Sequence, residues 1–263
     1  MVETFLQHWP ANVPLLLYAE GFAAKADGSR LVVRDLAVSS PELMAFKARH
    51  RRHRIAHGKG VRMLLRPQLM RKGPDGRLHF QFQRRMHGYR WDAVRFAHKS
   101  FALFHAARHT QADVLIWVDA DTRFFADVTP RLLEEFVPPD RLVGYLRRNM
   151  HSECGFVAYN LRHPATLPLL AQFEAMYTQD LFLAEREFHD SYLFDVVRRR
   201  MEERGHQAHD IAAGIGLRAE HVLINSRLGA FMDHLKGPGK RTGSSSPDEL
   251  IAPRDEAYWK RRG

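Results

Sequence analysis

Asp119 and Asp121 close an apolar run, Val114-Leu-Ile-Trp-Val118, with one alanine between them. Two carboxylates so spaced at a strand end can converge on one hard divalent cation. Mg²⁺ and Mn²⁺ take oxygen ligands and are commonly shared with substrate phosphates. Ligands of open α/β sheets gather beyond the carboxyl ends of strands, which is where this pair falls. A solvated turn with two acids is the simpler reading of D-x-D alone, and the apolar strand before it is what favours the metal. Far downstream stands His234-Leu-Lys-Gly237-Pro-Gly-Lys240. A neutral His234 could complete the metal shell. Gly237 and Gly239 free the backbone to approach a phosphate. Lys240 could neutralise diphosphate charge.

These groups need a scaffold that brings residues 119 and 234 together. Val2 to Trp9 reads as a short helix stopped by Pro10, and Val13 to Tyr18 as a buried strand. Ser40-Pro41-Glu42 reads as a helix start with serine as cap, the helix running into the mid-fifties. A second helix is expected over Trp91 to His109, where Val94, Ala97, Phe101 and Phe104 fall on one face. The apolar run Asp113 to Val118 suits a strand covered on both faces, the habit of a parallel sheet with helical crossovers. Further strands are expected at 142–145, 155–159 and 221–224, and helices at 164–177 and 190–204. Strands alternating with helices give an α/β fold. Gly243-Ser-Ser-Ser-Pro247 reads as a linker into a charged tail.

The D-x-D after an apolar strand resembles that of the GT-A glycosyltransferases. His234-x-x-Gly237-x-x-Lys240 is similar to the H-x-x-G-x-x-K motif of the glycogenin and lipopolysaccharide galactosyltransferase group. The resemblance implies a GT-A, Rossmann-like fold with a mixed, mostly parallel central sheet flanked by helices. It implies a nucleotide-sugar donor, a UDP-sugar in the first instance, and Mn²⁺ or Mg²⁺. Asp119, Asp121 and His234 would then be the metal ligands. Asp119 would also touch the donor ribose, and Gly237 and Lys240 would hold the diphosphate. Lys99 resembles a basic residue that reaches the donor from the preceding helix; an exposed helix lysine is its plainer reading. Glu153-Cys154-Gly155 resembles the segment lining the sugar pocket. Asp190 resembles the acid that faces donor sugar and acceptor hydroxyl, with His189 beside it, although an aspartate there could simply cap a helix. The chain departs from the group in two places. Arg241-Thr242 stand where Pro-Trp usually follows the lysine, and a helix precedes the first strand.

Lys plus Arg number 40 against 30 acids, a net charge of +10. From Lys47 to Arg95 there are fifteen Lys or Arg against Asp75 and Asp92, so this block carries +13 and the rest of the chain −3. Arg51, Arg52, Arg54, Lys59, Arg62, Arg84 and Arg85 are interleaved with Phe80, Phe82, Tyr89 and Trp91. Cations for phosphates and aromatics for unpaired bases describe a nucleic-acid surface. His50, His53 and His57 share the block, but no cysteine or acid joins them to make a zinc site. The preferred acceptor is a modified base, hydroxymethylcytosine in DNA, as for phage-type DNA-modifying enzymes. Such a base must be flipped out of a duplex. A bacterial envelope glycan or lipopolysaccharide is the alternative. A non-catalytic nucleic-acid-binding protein and a metal-dependent nucleotidyl or phosphoryl transferase are the other classes in play.

At 45% apolar and 27% charged residues the chain is neither disordered, collagenous nor a disulfide scaffold. Cys154 is its one cysteine, so no internal disulfide can form, which fits a reducing cytoplasm, the host's if the protein is of phage origin. No apolar run approaches the ~18 residues of a membrane span. The expected organisation is one catalytic domain over 1–242 with a basic insertion at about 47–90, then the linker and tail over 243–263.

Overall fold

The computed structural model describes residues 1–23, 28, 30–59, 71–72, 78–79, 88–215, 221–237, 239–245 and 247–260. The helices are α1 (Val2–His8), α2 (Leu36–Ser39), α3 (Pro41–His50), α4 (Ala93–His109), α5 (Pro130–Phe136), α6 (Thr166–Thr178), α7 (Asp190–Glu203), α8 (Val222–Asn225), α9 (Gly239–Thr242) and α10 (Ala257–Lys260). The strands are β1 (Leu15–Ala19), β2 (Leu31–Asp35), β3 (Arg71–Lys72), β4 (Leu78–His79), β5 (Val114–Val118), β6 (Thr122–Phe124), β7 (Val143–Leu146), β8 (Glu153–Asn160), β9 (His209–Asp210) and β10 (Met232–His234). The fold is mixed α/β. None of its described helices is long and apolar enough to cross a membrane.

The main sheet runs β5-β8-β7-β9. β8 is antiparallel to both neighbours, and only β7 with β9 is parallel. This corrects the expectation of a mostly parallel sheet. Residues 147–152 alone join β7 to β8, too few for the crossover that parallel pairing demands. The apolar run of β5 signals two covered faces and says nothing of pairing direction. Leu115 and Trp117 pack into one core with α3, α4, α6 and α7, around Phe46, Phe101, Phe104 and Tyr177. Ile116 and Val118 pack into the opposite core, around Phe124, Phe136, Phe156 and Leu223. β1 and β2 pair in parallel as a separate two-stranded sheet.

Other elements differ in detail. Where a strand was expected at 221–224, helix α8 forms over Val222–Asn225, because a three-residue apolar core run carries no period to separate the two. α3 stops at His50, and Ser40 does not cap it with its side chain; its hydroxyl donates to the carbonyl of Phe101 at 3.4 Å. The described ends of the basic insertion meet. A Cβ on Gly58, itself at φ +65°, would lie 2.2 Å from the carbonyl oxygen of Gly88, and one on Gly88 would lie 2.6 Å from that of Gly58.

The stretch read as a linker is packed. Ser245 donates both its amide and its hydroxyl to the Asp233 carboxylate, at 2.8 and 2.6 Å. Tyr258 donates to the same carboxylate at 2.8 Å and stacks on Phe125. Trp259 is buried, with its indole N–H on the carbonyl of Gly229. Serine-rich composition suggested a solvated spacer, but the buried Asp233 needs hydroxyl and amide donors, which this stretch supplies.

Candidate metal and donor site

The site forms where strand ends share one edge. Leu146 pairs with Glu153, Val118 with Phe156, and the Asp119 amide donates to the carbonyl of Gly155 at 3.0 Å. The carboxyl ends of β5 and β7 and the amino end of β8 therefore lie together. Beyond Asp121 the chain enters β6, whose antiparallel partner β10 sets His234 opposite Thr122. The amide of Leu235 donates to the carbonyl of Asp121 at 2.9 Å. That register carries residue 234 to residues 119 and 121.

Asp119, Asp121 and His234 each offer a ligand atom, all within 4.8 Å of one another. His234 Nε2 lies 3.0 Å from Asp121 Oδ1 and 3.7 Å from Asp119 Oδ2. In an octahedral shell with ligands at about 2.1 Å, adjacent donor atoms sit about 3.0 Å apart, so the three residues fit a Mg²⁺- or Mn²⁺-sized ion. The other imidazole nitrogen agrees. His234 Nδ1 is buried without a hydrogen-bond partner and faces Glu153 Oε1 at 3.7 Å. With the Nε2 lone pair on a cation, Nδ1–H would point at a carboxylate, the usual support of a metal-bound histidine.

Gly155 makes room for that ring. A Cβ there would lie 2.6 Å from His234 Cε1 and 2.7 Å from Nδ1. The missing side chain thus lets the imidazole approach the strand closely.

Lys240 ends the loop with its ammonium 2.6 Å from Asp121 Oδ2 and its side chain more than half exposed. Burial alone would push the Asp121 carboxyl up. The hydrogen bonds from His234 and Lys240 outweigh it and hold the group well below the carboxylate range. Gly237 takes φ +46°, the left-handed conformation that glycine allows.

Lys99 is not an exposed helix lysine. Its ammonium lies 2.8 Å from Asp119 Oδ1 and 3.0 Å from Asp190 Oδ2, and it donates to the carbonyl of Cys154. Burial would lower its pKa, but Asp119 and Asp190 more than compensate and hold it well above the ordinary value. One cation thereby joins the D-x-D to the acid at the start of α7. Asp190 does not cap that helix: His189 does, Nδ1 accepting from the Tyr192 amide at 3.4 Å.

Capping fixes the His189 tautomer. With Nδ1 accepting, Nε2 keeps the proton and donates to Glu187 at 3.0 Å. His151, Glu187 and His189 also bring ligand atoms within 4.8 Å. His189 Nδ1 is held by the Tyr192 amide, so the Nε2 proton cannot move to it as that of His234 can, whose Nδ1 has no hydrogen-bond partner, and this second cluster reads as a hydrogen-bonded one. Burial lowers the His189 pKa against the pull of Asp190 and Glu187. Glu153 is buried and paired with Lys236 and with Arg148, the latter at 3.1 Å. Burial would raise it, yet Lys236, Arg148 and His234 bring it down to about 2, so it stays ionised and holds no proton to transfer at neutral pH.

Arg51, Arg52, Arg54 and Lys59 are exposed, in no ion pair among the described residues. Arg62, Arg84, Arg85, Phe80 and Phe82 lie outside the described residues. The exit of the insertion is joined to the site: Arg90 pairs with Glu187 at 3.1 Å, Trp91 donates to the carbonyl of Arg186, and the Phe188 amide donates to that of Arg90.

Several contributors carried no local signal. Trp117 donates to Asp119 Oδ1 at 2.6 Å, and Arg148 and Lys236 hold Glu153. Trp117 precedes Asp119 by two in a strand, so a shared face was the available clue. No family profile, curated protein or solved structure matches this chain.

Proposed function

We propose that this chain is a metal-dependent glycosyltransferase of GT-A type. It moves a sugar from a nucleotide-sugar donor, a UDP-sugar first, to the hydroxyl of a modified base such as hydroxymethylcytosine in DNA. The observation carrying the reading is the convergence of Asp119, Asp121 and His234 on one ion-sized space, with Lys240 on the same carboxylate.

A divalent cation bound there supplies Lewis-acid neutralisation of the departing nucleoside diphosphate. Asp119, Asp121 and His234 hold it, and Glu153 orients His234 from behind. Lys240, exposed and ion-paired, exchanges its carboxylate for a diphosphate oxygen. Lys99 fixes Asp119 and Asp190 relative to one another. Asp190 orients the acceptor hydroxyl or stabilises positive charge on the transferred sugar. His189 serves as cap and Glu187 partner beside that acid. The exposed cations of Arg51, Arg52, Arg54 and Lys59 suit a phosphate backbone.

The test is a donor screen with Mn²⁺ or Mg²⁺ that reads nucleoside diphosphate, with and without hydroxymethylated DNA. Release is expected only with metal and is expected to vanish in Asp121→Asn. Pyrophosphate as product would move the protein to nucleotidyl transfer. Indifference to metal and to every nucleotide sugar would leave only a basic binding protein.

A further inference from the structure

A cavity of about 370 Å³ opens beside the metal site, between the 147–152 loop and α7. Arg147, Arg148, Arg198 and Arg199 line it, with Asp195 and Glu202 as its acids, a surplus of two positive charges. Arg198 is buried over the ring of Tyr145 at 4.2 Å and pairs with Asp195 at 3.1 Å and Glu202 at 2.7 Å. Asp195 is occupied further by the amide of Ser152 at 2.9 Å and by its hydroxyl. The two acids are thus spent on Arg198 and Ser152. Arg148 is spent on Glu153. Arg147 is exposed and has no side-chain partner among the described residues. Arg199 is 60% exposed and comes no nearer than 3.9 Å to Asp195.

Two guanidiniums with spare N–H donors beside a walled polar cavity fit an oxyanion, since each can donate two parallel N–H groups to phosphate oxygens. The cavity is one side chain from the metal site, because Arg148 lines it and also holds Glu153, which faces His234. We infer that this cavity binds a phosphate group of the acceptor, Arg147 and Arg199 being its ligands. The inference rests on the proposed glycosyl transfer to DNA only in naming the acceptor; the phosphate site itself stands on the cavity.

Two measurements keep the ideas apart. The first follows binding of a fluorescent 12-nucleotide single strand to the wild type and to Arg147→Ala/Arg199→Ala, over a salt series and in competition with inorganic phosphate. The double variant, checked for an unchanged thermal midpoint, is expected to bind at least tenfold more weakly. Its log affinity against log salt should be shallower by about 0.7, the share of one phosphate contact on a single strand. Inorganic phosphate should displace the strand from the wild type and lose that effect in the variant. Strand affinity unchanged in the variant would overturn the acceptor assignment. Equal affinity and slope in both proteins with no displacement, or no binding by the wild type, would overturn the site altogether. The second measurement is nucleoside diphosphate release from donor and Mn²⁺ by the wild type, with water or hydroxymethylated DNA taking the sugar. Its failure sinks the glycosyltransferase reading while leaving the first result to judge the pocket.

Discussion

A methyl group added at Gly155 would meet the His234 imidazole at 2.6 Å, and that ring has Asp121 on its other side. Gly155→Ala is therefore expected to cost about 1–3 kcal/mol in urea unfolding by overpacking. It should also abolish the Mn²⁺-dependent stabilisation of the protein by a nucleotide sugar in thermal melts. A normal metal response would mean His234 is no ligand. Lys99 is the second residue on which the site turns. Lys99→Met leaves Asp119 and Asp190 without their shared cation, and a loss of about 3 kcal/mol is expected, as for a broken buried pair. An unchanged unfolding free energy would show that solvent screens these acids already. Glu153 supplies a pH dependence. Its folded pKa of about 2 is below the ordinary 4.5, so its contribution is complete above that ordinary value and fades as pH falls towards 2. Glu153→Gln should flatten acid unfolding in that window.

At the scale of elements, the pairing of β6 with β10 does the positioning, and its support lies in the segment that follows. Asp233 is fully buried and accepts from Ser245 and Tyr258, so strand β10 is pinned by residues 12 and 25 positions downstream of it. Asp233→Ala strands those donors, and at least about 2 kcal/mol of destabilisation is expected. Proteolysis near residue 245 should accelerate; resistance equal to the wild type would contradict the pinning. On the other side of the molecule, Asp180 holds Arg49 at 2.8 Å and His50 at 2.7 Å, tying the basic end of α3 to the end of α6. The following turn runs to Gly58, which closes against Gly88.

Over the whole molecule, the cationic block and the candidate metal site are joined through Arg90, Trp91 and the 186–190 segment. Charge on the block should therefore act on acceptor capture. Arg51→Ala/Arg52→Ala is expected to reduce the salt slope of DNA binding by about 2, one for each phosphate left without its arginine. An unchanged slope would place the nucleic acid elsewhere.

How much of this was legible beforehand follows from the range over which each signal acts. Residues 114–121 announced a strand and an acidic end, and the fifteen cations from 47 to 95 gave only the expectation of an anionic partner, because period, composition and charge are local properties. The H-x-x-G-x-x-K stretch, through its resemblance, set His234 beside Asp119 and Asp121, whereas the ion pair of Lys240 with Asp121 emerged only in the fold. Pairing direction, the partnership of Lys99 with both acids, the capping of α7 by His189 and the burial of the serine-rich stretch depended on residues far apart in the chain. Lys99 and Asp190 are 91 positions apart, and each taken alone reads as an ordinary helix residue. Their chemistry exists only because the strand ends meet at one edge, where burial strips water from the charges and leaves them each other as partners.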